Sequence, residues 1–195
     1  NLGKYNTLDV EQGHINYEHR EFENNKSYHA VLLSHVINYF KVDISSDIFK
    51  FGGLYQRKKF IAGGFYWTPN TYEDKLAIYA SKKGVIFGYD TDYSGRIEHR
   101  SIRPRSGETF FSNLDANEVR NRQFTLVSGG VSFFKKREYL SNYYQILFTS
   151  RAPSIEDLYS DGPHLGNYAY EIGDPNLKQE NTLGFENTLS MFNST

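Results

Sequence analysis

The side chains best suited to chemistry in this chain are its histidines, carboxylates and arginines, and two groupings stand out. His164 lies between Asp161 and Glu171. Imidazole and carboxylate donors in one loop suit a metal ion or haem iron, while a histidine that fixes its loop by hydrogen bonds is the simpler reading. His99, beside Glu98 and Arg100, opens a stretch 99–120 that carries Arg103, Arg105, Glu108 and Arg120, with Arg122 just beyond it. Guanidinium groups present paired donors to carboxylates and can attract an anionic chelate or a haem propionate, although a water-facing loop is ordinarily charged in any case. His29 and His35 share one face of a strand candidate, and His14 and His19 flank another; positions on a wetted face or at a rim account for all four. Asp90 and Asp92 also share a strand face, the arrangement of a glycosidase-like acid pair, with no third group to organise them. There is no phosphate-binding glycine loop, no G-x-S-x-G and no HExxH, so no enzyme is expected and no resident cofactor is implied.

The elements that must position these residues read as strands. Breakers and period-two runs divide the 195 residues into about eight candidates, at 8–22, 27–40, 47–57, 70–82, 84–98, 121–134, 138–150 and 179–192. In the last, Leu183, Phe185, Leu189 and Met191 oppose Glu180, Thr182, Glu186 and Thr188. Phe49, Phe51 and Tyr55 oppose Lys50, Gly52 and Gln56, and Leu140, Tyr144, Ile146 and Phe148 oppose Ser141, Gln145 and Thr149. In 84–98, Val85, Phe87, Tyr89 and Tyr93 are expected opposite Gly88, Asp90, Asp92 and Ser94. The runs 27–40 and 121–134 alternate poorly.

Composition says what kind of sheet this is. Sixteen Tyr and 15 Phe in a chain that is 23% charged suggest half-exposed aromatic surfaces rather than an aliphatic core. Burying Asp90 and Asp92 in a soluble sandwich would be costly, whereas a water-filled lumen wets that face freely. No run approaches the roughly 20 apolar residues of a membrane helix, but a membrane strand needs only about 9 to 11. A net charge of −1 with scattered basic residues excludes a nucleic-acid footprint, and the absence of Cys removes disulfides and thiol chemistry. The chain opens at Asn1 without a basic or apolar leader, so it reads as mature or as a fragment.

Tight turns are expected at Ser81–Gly84 and Phe134–Glu138 and long connections at 58–69, 99–120 and 151–178, the alternation of an outer-membrane barrel with its short side periplasmic. Two irregularities remain: 23–26 is short on the long side, and 41–47 is not tight on the short side. Trp67, with Phe65, Tyr66 and Tyr72, marks a loop-to-strand junction where an aromatic belt would sit, with sugar stacking as the other use of such rings.

The longest connection carries the most information. RAPSIEDLYSDGPHLGNYAYEIGDPNLKQENTLGFE, from Arg151 to Glu186, combines Pro-ended ladders, Asp-Gly-Pro and Gly-Asp-Pro-Asn turns, and a Ser154 helix cap followed by Glu156 and Asp157. It resembles a segment of TonB-dependent outer-membrane receptors. The matching positions are Arg151, Ala152, Pro153, Glu156, Leu158, Tyr159, Gly162, Pro163, His164, Leu165, Glu171, Gly173, Asp174, Pro175, Asn176, Leu177 and Glu180. Asp157 and Tyr159 stand where Glu and Phe are common, Asp174 replaces Asn, and Gln179 follows Lys178 where Pro is frequent.

The resemblance implies an all-β, antiparallel transmembrane β-barrel, of which this chain supplies about eight strands of some 22. It implies uptake of a siderophore or other metal chelate, haem or a metal, with energy from TonB. Its partners would be outer-membrane lipid and lipopolysaccharide, the receptor's own plug domain and the TonB complex. Neither a plug-like sequence nor a TonB-contacting segment is legible in these residues. Within this frame His164, Asp161, Glu171, His99, Arg103 and Arg105 are the ligand-binding candidates. The rival architectures are a complete eight-stranded barrel and a soluble, carbohydrate-binding β-sandwich.

Overall fold

A computed structural model describes residues 6–22, 27, 29–64, 68–105, 114, 117–164 and 169–192, the side chains of His29 and His164 excepted. The described residues are all-β apart from one helical turn. Eight long strands form one antiparallel sheet: β1 (Thr7–Phe22), β2 (His29–Ser45), β3 (Phe49–Gly64), β4 (Thr71–Ile86), β5 (Tyr89–Pro104), β6 (Arg122–Lys136), β7 (Leu140–Arg151) and, after an excursion, β10 (Glu180–Met191). Between β7 and β10 lie α1 (Ile155–Tyr159) and a small hairpin of β8 (Asp161–His164) and β9 (Ala169–Ile172). Neighbours in sequence are neighbours in space, from β1 to β7 and then β10. The sheet is not closed: β1 and β10 are free edges among the described residues, so they do not form the complete eight-stranded barrel.

β2 and β3 are longer than the sequence indicates, and the connections that follow them shrink accordingly, whereas β7 and β10 are slightly shorter. β2 runs on to Ser45, leaving a tight turn in which the Ser46 amide donates to Phe49 O at 2.8 Å, so the irregularity at 41–47 disappears. The expected turn at Ser81–Gly84 is strand; the reversal occurs at Phe87–Gly88, both with positive φ, the backbone of a two-residue primed hairpin. Shifting the turn also reassigns the faces. Val85 pairs with Asp90, and Lys82 with Tyr93, so Val85 and Tyr93 lie on opposite faces, contrary to the alternation read through 84–98. The basic pair Lys82-Lys83 and the flanking Gly84 resemble a turn only locally; sixteen-residue pairing to β5 overrides them. The connection 23–26 lies outside the described residues, as do Phe65, Tyr66 and Trp67.

Phe87 is 95% exposed and holds a left-handed φ of 50°, a region that costs a bulky residue roughly 1–2 kcal/mol. Phe87→Asn is expected to raise stability by about 1 kcal/mol, read as a higher urea midpoint with an unchanged slope.

Register divides the sheet into two chemically distinct faces. One presents Val10, Phe40, Tyr55, Leu76, Ile78, Ile97, Val127, Ile146, Phe185 and their neighbours, rung against rung across all eight strands. Many of these are exposed, Leu183 and Phe185 by 76% and 71%. The other face presents Glu11, Lys41, Asp43, Lys75, Arg96, Glu98 and Arg100 along the same rungs. The expected faces of 47–57, 138–150 and 179–192 are those observed.

The polar face becomes apolar at one end. Ile102, Phe124 and Leu126 pack there with Ala152, Ile155, Leu158 and Tyr159 from the β7–β10 connection. Val31 and Phe60 form a second cluster with Leu33 and Ala62. This is why 27–40 and 121–134 alternate poorly: their polar-face residues turn apolar where they are covered.

Candidate functional site

The polar face and the segment that covers its end make up the candidate site. α1 is started by a capping box: Ser154 Oγ accepts from the Asp157 amide at 3.1 Å, and Asp157 Oδ2 accepts from the Ser154 amide at 2.8 Å. A five-residue helix has no stability of its own, so burial of Ile155, Leu158 and Tyr159 against β5 and β6 must hold it. Tyr159 adds a hydrogen bond from its hydroxyl to Arg120 O at 2.5 Å, and burial raises its pKa above the ordinary phenol value.

The motif residues past the hairpin bind the helix from the other side. Gly173 donates to Ser160 O at 2.6 Å and Asp174 to Asp157 O at 2.9 Å. A β-carbon on Gly173 would stand 2.7 to 2.9 Å from backbone atoms of Tyr159, Leu158 and Asp157, so only glycine permits the approach. Asp174 Oδ1 accepts from the Asn176 amide at 2.7 Å, closing the turn across Pro175.

Arg120 donates to Asn176 Oδ1 at 2.7 Å, while Arg122 donates to Pro175 O and, at 2.6 Å, to Leu177 O. These two arginines therefore clasp a turn. Arg151 and Glu180 are cross-strand partners with an exposed ion pair of 3.1 Å at the root of the excursion. Arg122→Ala removes hydrogen bonds from a charged donor, each worth roughly 1.5–3 kcal/mol. Amide exchange at Asn176 and Leu177 is expected to accelerate, with strand amides unaffected.

The ligand-binding candidates are dispersed. Asp161 pairs with Ile172 and Glu171 with Gly162 on adjacent rungs, which sends the two carboxylates to opposite faces of the hairpin. Asp161 is buried and accepts from the Tyr170 hydroxyl at 3.2 Å; the His164 side chain and Leu165 lie outside the described residues. His99 and Arg103 are strand residues, since β5 extends to Pro104, and they project from the apolar face, opposite Glu98 and Arg100. Arg105, just past β5, stacks 5.3 Å from the Tyr72 ring. Glu108 lies outside the described residues. His14 bonds Asn38 on the apolar face at 2.8 Å, His19 bonds Glu21 at 3.2 Å, and His35 packs edge-on to Phe60. Among the described residues no group of three His, Asp or Glu could hold a metal.

Two charge clusters on the polar face were not singled out from sequence. Asp43, 5% exposed, is held by Lys41 at 2.9 Å, Lys50 at 3.2 Å and the Tyr79 hydroxyl at 2.5 Å. Glu98, also buried, lies between Arg96 at 2.6 Å and Arg100 at 2.8 Å, with Glu73 3.8 Å from Arg100. The spacing Arg96, Glu98, Arg100 carried the second cluster in plain view, because alternate residues share a strand face.

No family model, curated protein or solved structure matches this chain. What the arrangement can do thus follows from its own geometry. Among the described residues one face is apolar and largely uncovered, the other carries the ion-paired clusters of Asp43 and Glu98, and a structured segment caps the ionic side. Asp90 and Asp92 do share the polar face, with Lys83 across the rung from Asp92 and Val85 across from Asp90.

Proposed function

We propose that this chain is a section of barrel wall from an outer-membrane receptor of the TonB-dependent kind, taking up a metal chelate, haem or metal. The observation that carries the reading is the distribution of charge between the faces. From Asp74 to Lys82 on β4 the apolar face shows only Leu76, Ile78 and Ala80, and their rungs on β3 and β5 are Tyr55, Gly53, Phe51, His99, Ile97 and Gly95. That span is roughly 27 Å of strand, or about 21 Å of height at a ~40° tilt, against the ~25 Å apolar band of such barrels. A soluble sheet would bury this face and wet the ionic one; here the apolar face is exposed and a polypeptide segment covers part of the ionic one.

Three further features support the reading. The connections at 46–48, 87–88 and 137–139 are short and share one rim, while those at 65–70, 105–121 and 152–179 are long and share the other. Tyr89, Tyr93, Tyr144 and Phe49 gather on the apolar face near the short rim, with Lys135 Nζ 4.9 Å from the Tyr89 ring, as a membrane-interface belt would have them. The unpaired edges β1 and β10 are where further strands would continue a larger wall, an edge otherwise prone to aggregation. In this reading the capping segment 151–178 is extracellular, near an incoming ligand, and the polar face meets water and a plug domain.

The test is fractionation followed by uptake. The polypeptide containing this chain is expected in the outer-membrane fraction with heat-modifiable migration. Its deletion should abolish accumulation of one labelled ferric chelate or haem, and a protonophore should abolish uptake in the parent. Recovery in the aqueous phase without detergent would sink the reading and favour a soluble carbohydrate-binding sheet.

A further inference from the structure

The ladder between β6 and β7 is incomplete. Its rungs run from Lys136 with Ser141 to Gly129 with Phe148 and stop there, although β6 begins at Arg122 and β7 continues to Arg151. Past the last rung the Ser150 amide donates at 3.3 Å to Ser128 Oγ, a side chain, where a ladder would offer a carbonyl. The capping segment accounts for the divergence. Ala152, Ile155 and Leu158 pack against Phe124 and Leu126 of β6, and a chain that leaves the sheet to make those contacts gives up its pairing with β6. On its other side β7 stays paired to β10 as far as Arg151 with Glu180.

The strands part around a cavity of about 80 Å³ on the polar face, the room of roughly two or three waters or one small oxyanion. Arg96, Arg100 and Arg151 line it, together with Glu98, Ser128 and Ser150. Glu98 accepts from a terminal nitrogen of Arg96 at 2.6 Å, and from Nε and a terminal nitrogen of Arg100 at 3.1 and 2.8 Å. A guanidinium has five N–H donors, so both arginines keep donors that Glu98 does not use. The carboxylate paired with Arg151 is Glu180, 61% exposed and therefore screened by water. Glu73, 3.8 Å from Arg100, has Lys58 across its rung. The lining thus sets three cations against one carboxylate, an excess of two positive charges. Ser128 Oγ accepts from the Ser150 amide, which leaves its own O–H to donate.

We infer that this cavity binds a small tetrahedral dianion, hydrogenphosphate or sulfate, between guanidinium groups of β5 on one side and β7 on the other. Arginine offers such oxyanions paired, charge-assisted donors, two negative charges match the excess, and the volume suits the free ion better than an ester. Bound there, the ion takes the place of the missing rungs. It ties Arg96 and Arg100 to Arg151, at the root of the capping segment, across the gap in the ladder. The site does not depend on the membrane reading, because the register of one sheet and the packing of α1 place all of its residues.

The experiment uses the full-length polypeptide purified in a neutral detergent, with inorganic phosphate as the probe and phosphorus NMR line broadening as the readout. The parent is expected to bind phosphate saturably, with displacement by sulfate and none by chloride at equal ionic strength. Arg151→Gln should weaken binding roughly tenfold or more, the factor that one lost charge-assisted hydrogen bond carries. Glu98→Gln should tighten it several-fold by removing the one like charge from the cavity, a gain that a merely structural ion pair would not give. Lys178→Gln, an exposed cation in the same connection, should leave the affinity unchanged. Phosphate should also slow amide exchange at Ser150 and Ala152 in the parent. Absence of saturable binding, displacement by chloride as effective as by sulfate, or equal affinity in Arg151→Gln would overturn the inference. An equal fall in Lys178→Gln would assign the effect to diffuse charge and overturn it as well. If Arg151→Gln does not fold, Glu98→Gln decides: affinity no higher than the parent's rejects the site.

Discussion

Ile78→Arg is expected to destabilise the protein by about 2–4 kcal/mol when it is folded in a lipid bilayer, the range for arginine at the midplane of a transmembrane barrel. The size of this effect is informative because the site looks permissive. Ile78 is 52% exposed, with Gly53 and Ile97 as its cross-strand neighbours, and at such a position in water most substitutions change stability by no more than about 0.5 kcal/mol. Its distance from both polar boundaries explains the difference. Asp74 and Lys82 each lie roughly 13 Å away along the strand, so an arginine at this position cannot easily carry its charge to a rim. Gln145→Arg, on the polar face between Ser132 and Glu186, is the matched comparison and should change stability by no more than about 0.5 kcal/mol. Urea unfolding in vesicles reads both. Equal, small effects at the two sites would mean that the apolar face meets water.

The fold was legible in the sequence where one face of a strand has one character throughout. Leu183, Phe185, Leu189 and Met191 oppose Glu180, Thr182, Glu186 and Thr188 in the structure as in the sequence, because β10 lies beyond the region that the capping segment covers. Legibility failed where a residue serves tertiary structure. Phe124 and Leu126 share the polar face of β6 with Ser128 and Ser132, and only the arrival of Ile155 and Leu158 makes them apolar positions. The turn at Phe87–Gly88 was missed because phenylalanine is a poor left-handed residue, and pairing across β4 and β5 fixes it there.

The connection from Arg151 to Glu180 was legible as a motif, while the contacts that hold it were not. Ser154, Tyr159, Gly173, Asp174 and Asn176 are recognisable from spacing, and their bonds either close the segment on itself or tie it to Arg120. Arg120 and Arg122 resemble ligand donors in one dimension because their acceptors, on Asn176, Pro175 and Leu177, are more than 50 residues away in sequence. The cluster at Asp43 is only partly visible in one dimension, since Lys41 is its neighbour on β2 while Lys50 and Tyr79 come from β3 and β4.

Leu158→Ala should therefore release the whole capping segment while leaving the sheet intact. Leu158 is fully buried in a cluster of seven residues, and truncating a buried leucine costs about 2–5 kcal/mol. α1 has one turn and no intrinsic stability, so the segment has little else to lose before it opens as a unit. Gly173→Ala reaches the same state by another route. Its new methyl would press on the backbone of Asp157, Leu158 and Tyr159, atoms that no rotamer change can move away, and the bonds from Gly173 and Asp174 to Ser160 and Asp157 would break together. Hydrogen exchange is the measurement: in both variants the amides of Leu158, Ser160, Gly173 and Asp174 should lose protection, while the ladder joining Leu140–Arg151 to Glu180–Met191 keeps it. Protection retained in the segment would show that the hairpin of β8 and β9 holds it without the helix. Simultaneous loss in both strands would show that the segment and the sheet unfold as one, and that the apolar cluster is part of the sheet's own stability.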